Sequence, residues 1–345
     1  VINLAESPRQ LEHGVMKFAL ASSLLCLGLT ISAAEPELLS VRKIWDQGRH
    51  NAFTDLIRFQ DKWFCSFREA AAHVGGDGRL RILESEDGDH WQSAALLAEE
   101  GIDLRDPKLS VTPDQRLMVV AGGSVYGGTK KLQGRQPRVA FSKDGREWTQ
   151  PRRTLAEGDW LWRATWHGGA AYGVSYLLTP EKLDAERFIK LYRSLDGLDW
   201  KPIASLDVPD KPNETTVRVL KSGEAVALIR REAGDRGGWI GSSRAPFTEW
   251  SFARTPQRMG GPNFIELPDG SLVAGSRHYS VTVTNFALFR MTRDSLQPAL
   301  ELPSRGDCSY PGLVWHDGLL CVSYYSSHEG KTSIYLAKVK WPLQR

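Results

Sequence analysis

Three arginines occupy one position in a repeating pattern, and this is the first chemical lead in the sequence. Arg68, Arg230 and Arg277 each fall eight residues after an equivalent turn residue, namely Gln60, Ser222 and Asp269. If the pattern is a ring of like units, the three guanidinium groups stand at similar height around one axis. Planar guanidinium forks facing a shared pocket can hold a carboxylate or sulfate in bidentate fashion. The competing reading is three arginines paired with surface acids. Other residues able to do chemistry sit at the same end of the units, in Asn213-Glu214, in Arg105-Asp106 and in the run from Asp307 to Tyr310.

The elements that must position these groups are short strands. Apolar runs of four to six residues recur from residue 50 onward, such as Trp63 to Phe67, Leu117 to Val120, Ala225 to Ile229 and Leu319 to Val322. Each follows a tight polar or glycine-containing turn, and amphipathic helical periodicity is missing. Anchors at Gln60, Asp114, His167, Ser222, Asp269 and Asp317 are spaced by 54, 53, 55, 47 and 48 residues. Six units of that size, each with room for four strands, predict an all-β, six-bladed β-propeller of four-stranded antiparallel blades. A pair of β-sandwiches fits such a period poorly.

A second repeat runs in step with the first. Ser85 to Trp91, Ser142 to Trp148 and Ser194 to Trp200 all read S-x-D-G-x-x-W, and a worn copy spans Ser243 to Trp250. Asp accepts bonds from turn amides, Gly takes positive φ and Trp covers the turn with apolar area. A structural role is expected for these turns, in preference to a calcium or sugar site in each loop.

These motifs resemble the Asp boxes of the sialidase (neuraminidase) superfamily, whose fold is a six-bladed propeller. The likeness covers most of residues 45–340, and it implies a secreted exo-α-sialidase-like glycoside hydrolase. Asn213-Glu214 with Arg230 resembles that family's fourth blade, where a Glu polarises a tyrosine nucleophile and an Arg grips the substrate carboxylate. Tyr310, at the start of the last unit, resembles the nucleophile. A neutral phenol approaches an anionic sugar without the repulsion that a carboxylate meets, and such enzymes depart from the two-carboxylate scheme. The resemblance implies a general acid in the loop from Ala70 to Arg79, where Asp77 is the best match and His73 the second. Asp106 is expected to reach the mouth and bind substrate with Asn213, and Asp55 is a weaker candidate. Trp160, Trp162, Trp166, Trp239 and Tyr279 are candidates to stack on sugar faces.

The chain departs from the family pattern in two places. Ala52 stands where a first-blade arginine would fall, and the stretch near Thr284-Asn285 has no arginine. Arg277 or Arg68 is left to substitute. This weighs against sialic acid itself more than against a hydrolase, so a different acidic or sulfated sugar stays open. So do a non-catalytic glycan-binding propeller and a purely structural one.

Composition bounds the rest. The sequence has 345 residues, 25% of them charged, with 32 Gly, 12 Trp and only 4 Met, which argues against disorder and against a helical bundle. A net charge of +3 is too weak to point to nucleic acid. There is no P-loop, dinucleotide fingerprint or H-E-x-x-H, and no cofactor or metal is expected. Met16-Lys17, an apolar run from Phe18 to Ile31 and Ser32-Ala33-Ala34 read as a secretory signal, with residues 1–34 as leader and 35–345 as one domain. The expected product is a secreted or periplasmic monomer without a membrane span, acting on glycans. Outside the leader only Cys65, Cys308 and Cys321 remain, so at most one intrachain bridge can form and none is required.

Overall fold

The computed structural model describes residues 34–178, 187–280 and 282–344. The first strand, β1 (Glu37–Trp45), belongs to the last blade. Blade 1 follows, with β2 (His50–Phe59), β3 (Lys62–Ala70), β4 (Arg79–Ser85) and β5 (Gln92–Leu97). Blade 2 holds β6 (Asp103–Val111), β7 (Leu117–Val125), β8 (Gly134–Ser142) and β9 (Arg152–Arg153). Blade 3 holds β10 (Asp159–Leu161), β11 (Thr165–His167), β12 (Ala170–Leu177), β13 (Ile189–Ser194) and β14 (Trp200–Leu206). Blade 4 holds β15 (Pro212–Val219), β16 (Ala225–Arg231), β17 (Gly237–Ser243) and β18 (Ser251–Arg258). Blade 5 holds β19 (Asn263–Glu266), β20 (Leu272–Tyr279), β21 (Thr284–Met291) and β22 (Leu296–Leu302). Blade 6 holds β23 (Cys308–His316), β24 (Leu319–Ser326) and β25 (Ser333–Lys340), and β1 completes it by pairing with β25.

The protein is therefore a six-bladed antiparallel β-propeller. The turn anchors read from sequence fall between the first and second strands in five blades, and His167 is the last residue of β11 in blade 3. Two features were not foreseen. The sixth blade borrows its outer strand from the far end of the chain, from Glu37↔Lys340 to Trp45↔Ile334. The inner strand of blade 3 is split into β10 and β11, both paired to β12. The expected leader lies outside the described residues, and Glu35–Arg345 forms one contact unit. No helix among the described residues is long and apolar enough to cross a membrane.

First strands are buried and last strands exposed, so the first lie at the axis: β2 is almost wholly buried, whereas β5, β14 and β18 are largely open. The core is the set of seams between blades, where apolar faces that one sheet cannot cover alone meet their neighbours. Phe64 and Ile82 of blade 1 pack with Leu104 and Val119 of blade 2, and Val273 and Leu288 of blade 5 pack with Val322 and Tyr335 of blade 6. Cys65, Cys308 and Cys321 are free, buried thiols.

The S-x-D-G-x-x-W turns join third and fourth strands, at the end away from the starts of the inner strands. In the first, Ser85 Oγ accepts the Gly88 amide at 2.9 Å and Asp87 Oδ1 accepts the Asp89 and His90 amides at 2.8 Å each. Trp91 Nε1 then donates to Gly88 O at 3.1 Å. The pattern repeats at Asp144 with Trp148 and at Asp196 with Trp200. Gly88, Gly145 and Gly197 have φ of +76°, +79° and +78°, which fits the left-handed corner that glycine adopts without penalty. The worn copy keeps only the tryptophan bond, from Trp250 Nε1 to Phe247 O at 3.0 Å.

At the axis each inner strand is a sheet edge, and its free carbonyls are met by side chains of a neighbouring blade. Thr54 Oγ1 donates to Tyr310 O at 2.7 Å and Lys108 Nζ to Thr54 O at 3.1 Å. Thr165 Oγ1 donates to Val217 O, Thr216 Oγ1 to Pro262 O and Asn263 Nδ2 to Pro311 O. Asp55 joins three blades: it accepts the Leu109 amide at 2.7 Å and a bidentate fork from Arg163 at 2.8 and 3.1 Å. Arg163 sits in the gap between β10 and β11, so the split strand frees it to reach the axis. Both side chains are buried, and removing one leaves the other as an uncompensated charge. Asp55→Ala is expected to lower unfolding free energy by about 3–5 kcal/mol, read from urea denaturation. A loss below about 1 kcal/mol, the range of exposed pairs, would show that the pair does not hold the axis.

Candidate active site

The site is built by four bulges. In blades 1, 2, 4 and 6 the first strand carries one extra residue against the second, between Ala52 and Asp55, Arg105 and Lys108, Pro212 and Thr215, and Ser309 and Gly312. Bulges re-aim side chains at the rims of closed sheets. The residues they displace are Phe53, Asp106, Asn213-Glu214 and Tyr310. Phe53, Asp106 and Tyr310 are also left-handed, with φ of 66°, 51° and 55°. Non-glycine residues in that region cost about 1–3 kcal/mol each and cluster where function over-determines them.

Tyr310 and Glu214 meet across the mouth. The Tyr310 hydroxyl donates to Glu214 Oε1 at 2.6 Å, and the Arg230 guanidinium lies 2.7 Å from the same oxygen. The Gly261 amide donates to Glu214 Oε2 at 2.8 Å. Gly261 has φ +62°, and a Cβ there would come within 2.4 Å of the Tyr310 ring, so glycine lets the phenol lie against the backbone. Trp162, Phe53 and Tyr325 pack around the ring with centroids 5.7, 4.8 and 5.9 Å away.

The electrostatics follow from burial. Desolvation alone would raise the Glu214 carboxyl, but the Arg230 charge and the bonds from Tyr310, Arg230 and Gly261 outweigh it and hold it below the usual carboxylate range. Desolvation and the Glu214 charge push the Tyr310 phenol well above its ordinary value, so the proton rests on oxygen of Tyr310. Burial likewise raises Asp106, a shift that Arg105 and Lys108 oppose and Glu214 reinforces. Burial brings Lys108 down to about 8.

The predicted residues separate into two groups. Tyr310, Glu214, Arg230 and Asp106 are brought together, and Arg277 stands beside them. Its guanidinium donates to Cys308 O at 2.9 Å, to the Tyr279 and Tyr325 hydroxyls at 3.3 Å each, and lies 3.5 Å from Asp307. Arg68, in contrast, is fully buried: it is salt-bridged to Asp103 at 2.7 Å and donates to Ala72 O at 2.8 Å. The shared offset does place three arginines alike in their strands, but the three forks do not converge on one ligand. Asn213 is also buried; its Oδ1 accepts the Glu214 amide at 2.8 Å and its amide nitrogen donates to Glu232, so it shapes the bulge. Asp77 is exposed, and its carboxylate accepts the Ala71 amide at 3.0 Å, bracing the loop. Trp160 and Trp162 are buried in the core and have no face free for a sugar.

Sequence reasoning named His73 as a second candidate acid but missed the cluster it forms with Asp307 and His50 beside Tyr310. Asp307 Oδ2 lies 2.9 Å from His73 Nδ1 and 3.3 Å from His50 Nε2, while Oδ1 accepts the Tyr325 hydroxyl at 2.7 Å. Burial would raise this carboxyl, but the bonds from both histidines and Tyr325 hold it far below its ordinary range. Asp307 is only three residues before Tyr310, yet its histidine partners come from blade 1, and local spacing carries no signal for them. Glu232, two residues after Arg230 and paired to it, was also missed.

No protein-family profile matches the chain, and no curated protein does. Solved structures match at the level of fold. A protein of unknown function from Dyadobacter fermentans aligns with TM-score 0.78 at 19% identity, over 88% of this chain and 99% of that one. Trypanosoma rangeli sialidase aligns with TM-score 0.66 at 12% identity, over 84% of this chain and 55% of that one. A mutant α-L-arabinofuranosidase from Fusarium graminearum, solved with an iminosugar inhibitor, aligns with TM-score 0.66 at 14% identity, over 87% and 97%. The propellers of two different glycosidases thus share this architecture.

Because Glu214 is held below its unfolded value, the folded chain binds fewer protons there. The stabilisation is present above the unfolded value of about 4.3 and is lost as pH falls through the lower folded value. Glu214→Gln removes it. Urea midpoints of parent and variant, measured from pH 7 downward, should converge in acid with the parent more stable at neutral pH. A gap that widens in acid contradicts the assignment.

Proposed function

We propose that the chain is a retaining exo-glycosidase in which Tyr310 is the nucleophile and Glu214 its base. The observation that carries this reading is the 2.6 Å hydrogen bond between the Tyr310 hydroxyl and Glu214 in a mouth shared with Arg230. A glycan-binding propeller needs arginines and aromatic rings but no such pair. The phenol stays protonated at rest and passes its proton to Glu214 as its oxygen bonds to the anomeric carbon, so no free phenolate forms. Arg230 neutralises Glu214 at rest and stabilises phenolate character when the proton has moved. Asp106, at the rim of the same pocket, hydrogen-bonds sugar hydroxyls. With export through the expected leader, the substrate is an extracellular or periplasmic glycan.

Two readings of the sugar remain, and charge separates them. An acidic sugar, as the sialidase resemblance implies, would lay its carboxylate on Arg230 and Arg277. Arg230 already faces Glu214 and Glu232, Arg277 faces Asp307, and Arg105 faces Asp103. Ala52, where the family has an arginine, is fully buried. An uncharged sugar asks none of these pairs to open, and the charge balance of the mouth favours it.

The experiment is a screen of 4-nitrophenyl α-L-arabinofuranoside against the 4-methylumbelliferyl glycoside of N-acetylneuraminic acid, with anomer analysis of the product by NMR. Hydrolysis with retention is expected, with the uncharged substrate preferred. Tyr310→Phe should lose at least about 10³-fold in kcat and Glu214→Gln about 10²–10⁴-fold. Undiminished hydrolysis by Tyr310→Phe excludes the nucleophile.

A further inference from the structure

We propose that His73, oriented by Asp307, is the acid–base group of this site; the inference rests on the retaining mechanism above. Attack on the anomeric carbon needs a proton delivered to the leaving oxygen, and the exposed Asp77 spends its carboxylate on the loop backbone. His73 lies on the same loop. Its Nδ1 donates to Asp307 Oδ2 at 2.9 Å, which fixes the ring and leaves Nε2 as the atom that gives and takes a proton. Asp307 is itself immobilised on its other oxygen by Tyr325 and Arg277. The backbone of His73 is held too, since Arg105 donates to its carbonyl at 2.9 Å. The imidazole stands edge-on to Phe53 at 5.3 Å, and Phe53 stands edge-on to Tyr310 at 4.8 Å, so one ring separates it from the nucleophile. Half of its side-chain surface is open to solvent, where a leaving group would sit.

The charged and titratable neighbours of the ring come from three other elements. They are Asp307 before β23, His50 on β2, which packs against it at 5.2 Å, and Arg105 on β6. His50, His73 and Asp307 also present donor atoms within 4.8 Å of one another, a spacing that a divalent cation accepts. His50 decides against that occupant. Its Nδ1 is buried without a partner. A metal on Nε2 would force a proton onto Nδ1 and leave a buried N–H unpaired, whereas ligating histidines keep a partner on the second nitrogen. With Nε2–H donated to Asp307, Nδ1 is only a bare lone pair.

The steps balance. In the first, the Tyr310 oxygen bonds to the anomeric carbon, its proton passes to Glu214, the glycosidic bond breaks and the leaving oxygen takes the proton of His73 Nε2. In the second, water attacks the same carbon and gives a proton to Nε2. The tyrosyl bond breaks, and Tyr310 recovers its proton from Glu214.

The test is His73→Ala on two α-L-arabinofuranosides and the two matching N-acetylneuraminosides, one of each pair with a 4-nitrophenyl and one with a methyl leaving group. The methyl glycoside needs the acid, and its kcat/KM should fall about 10²–10⁴-fold. The nitrophenol leaves unaided and should stay within about tenfold, with azide accelerating turnover and yielding the glycosyl azide of retained configuration. Asp307→Asn should shift the pH profile of the methyl glycoside and spare the nitrophenyl one. Equal losses on both leaving groups, or none, overturn the role of His73 while leaving Tyr310 intact. Inactivation by EDTA with rescue by zinc assigns the cluster to a metal and overturns it as well. A parent chain that cleaves none of the four removes the hydrolase reading and this inference together.

Discussion

The inner strand of every blade is an edge, and an edge facing the axis cannot be left to water. Backbone carbonyls buried there must find donors. The propeller supplies them from side chains one blade away, through Thr54, Lys108, Thr165, Thr216 and Asn263, with Asp55 and Arg163 linking blades 1 and 3. These bonds fix the height of each inner strand relative to its neighbours. Tyr310 inherits its position from them directly, because its own carbonyl accepts Thr54 and the next one accepts Asn263. The pairing of Tyr310 with Glu214, two blades away, is a consequence of that alignment.

Bulges turn this rigid ring into a site. A regular inner strand would point alternate side chains into the seams, where they would be core. One extra residue in blades 1, 2, 4 and 6 breaks the alternation at the rim. The groups displaced are a phenylalanine, two carboxylates and a phenol, each of a kind that is costly to bury unpaired or wasted if exposed. Around them charge is closely matched. Arg230 stands between two glutamates and Arg277 beside Asp307, so the mouth is dense in charge and poor in net charge. Such a mouth offers placed hydrogen bonds more than a field.

Much of the architecture was legible in the sequence, because a propeller repeats its turn chemistry. The spacing of first turns and the S-x-D-G-x-x-W copies located all six blades. The meeting of Glu214 and Tyr310 was expected from the resemblance, and each lies near the start of an inner strand. What failed was inference about where a side chain ends. Equal offset placed Arg68, Arg230 and Arg277 alike along their strands, but Asp103 draws Arg68 into a seam and Asp307 draws Arg277 toward blade 6. The resemblance pointed to Asp77 by its place in the loop from Ala70 to Arg79, where the carboxylate instead caps the Ala71 amide. The cluster of His50, His73 and Asp307 spans more than 250 residues of chain, and its members have no common spacing to betray them.

The borrowed strand of blade 6 bears on when the candidate site can form. The sheet that carries Tyr310 takes its outermost strand from residues 37–45 and its other three from residues 308–340. During synthesis the first of these strands emerges early and waits for the last. Its partner is separated from it by almost the whole chain, so the ring closes by a contact of very high sequence separation, a slow class of event. Earlier blades can form with Glu214 and Asp106 already in place. Tyr310, the proposed nucleophile, cannot be seated beside them until the final strands arrive and the early one is captured. The candidate site is thus tied to completion: a chain that stops short, or is clipped at either end of this seam, loses the sheet that holds Tyr310.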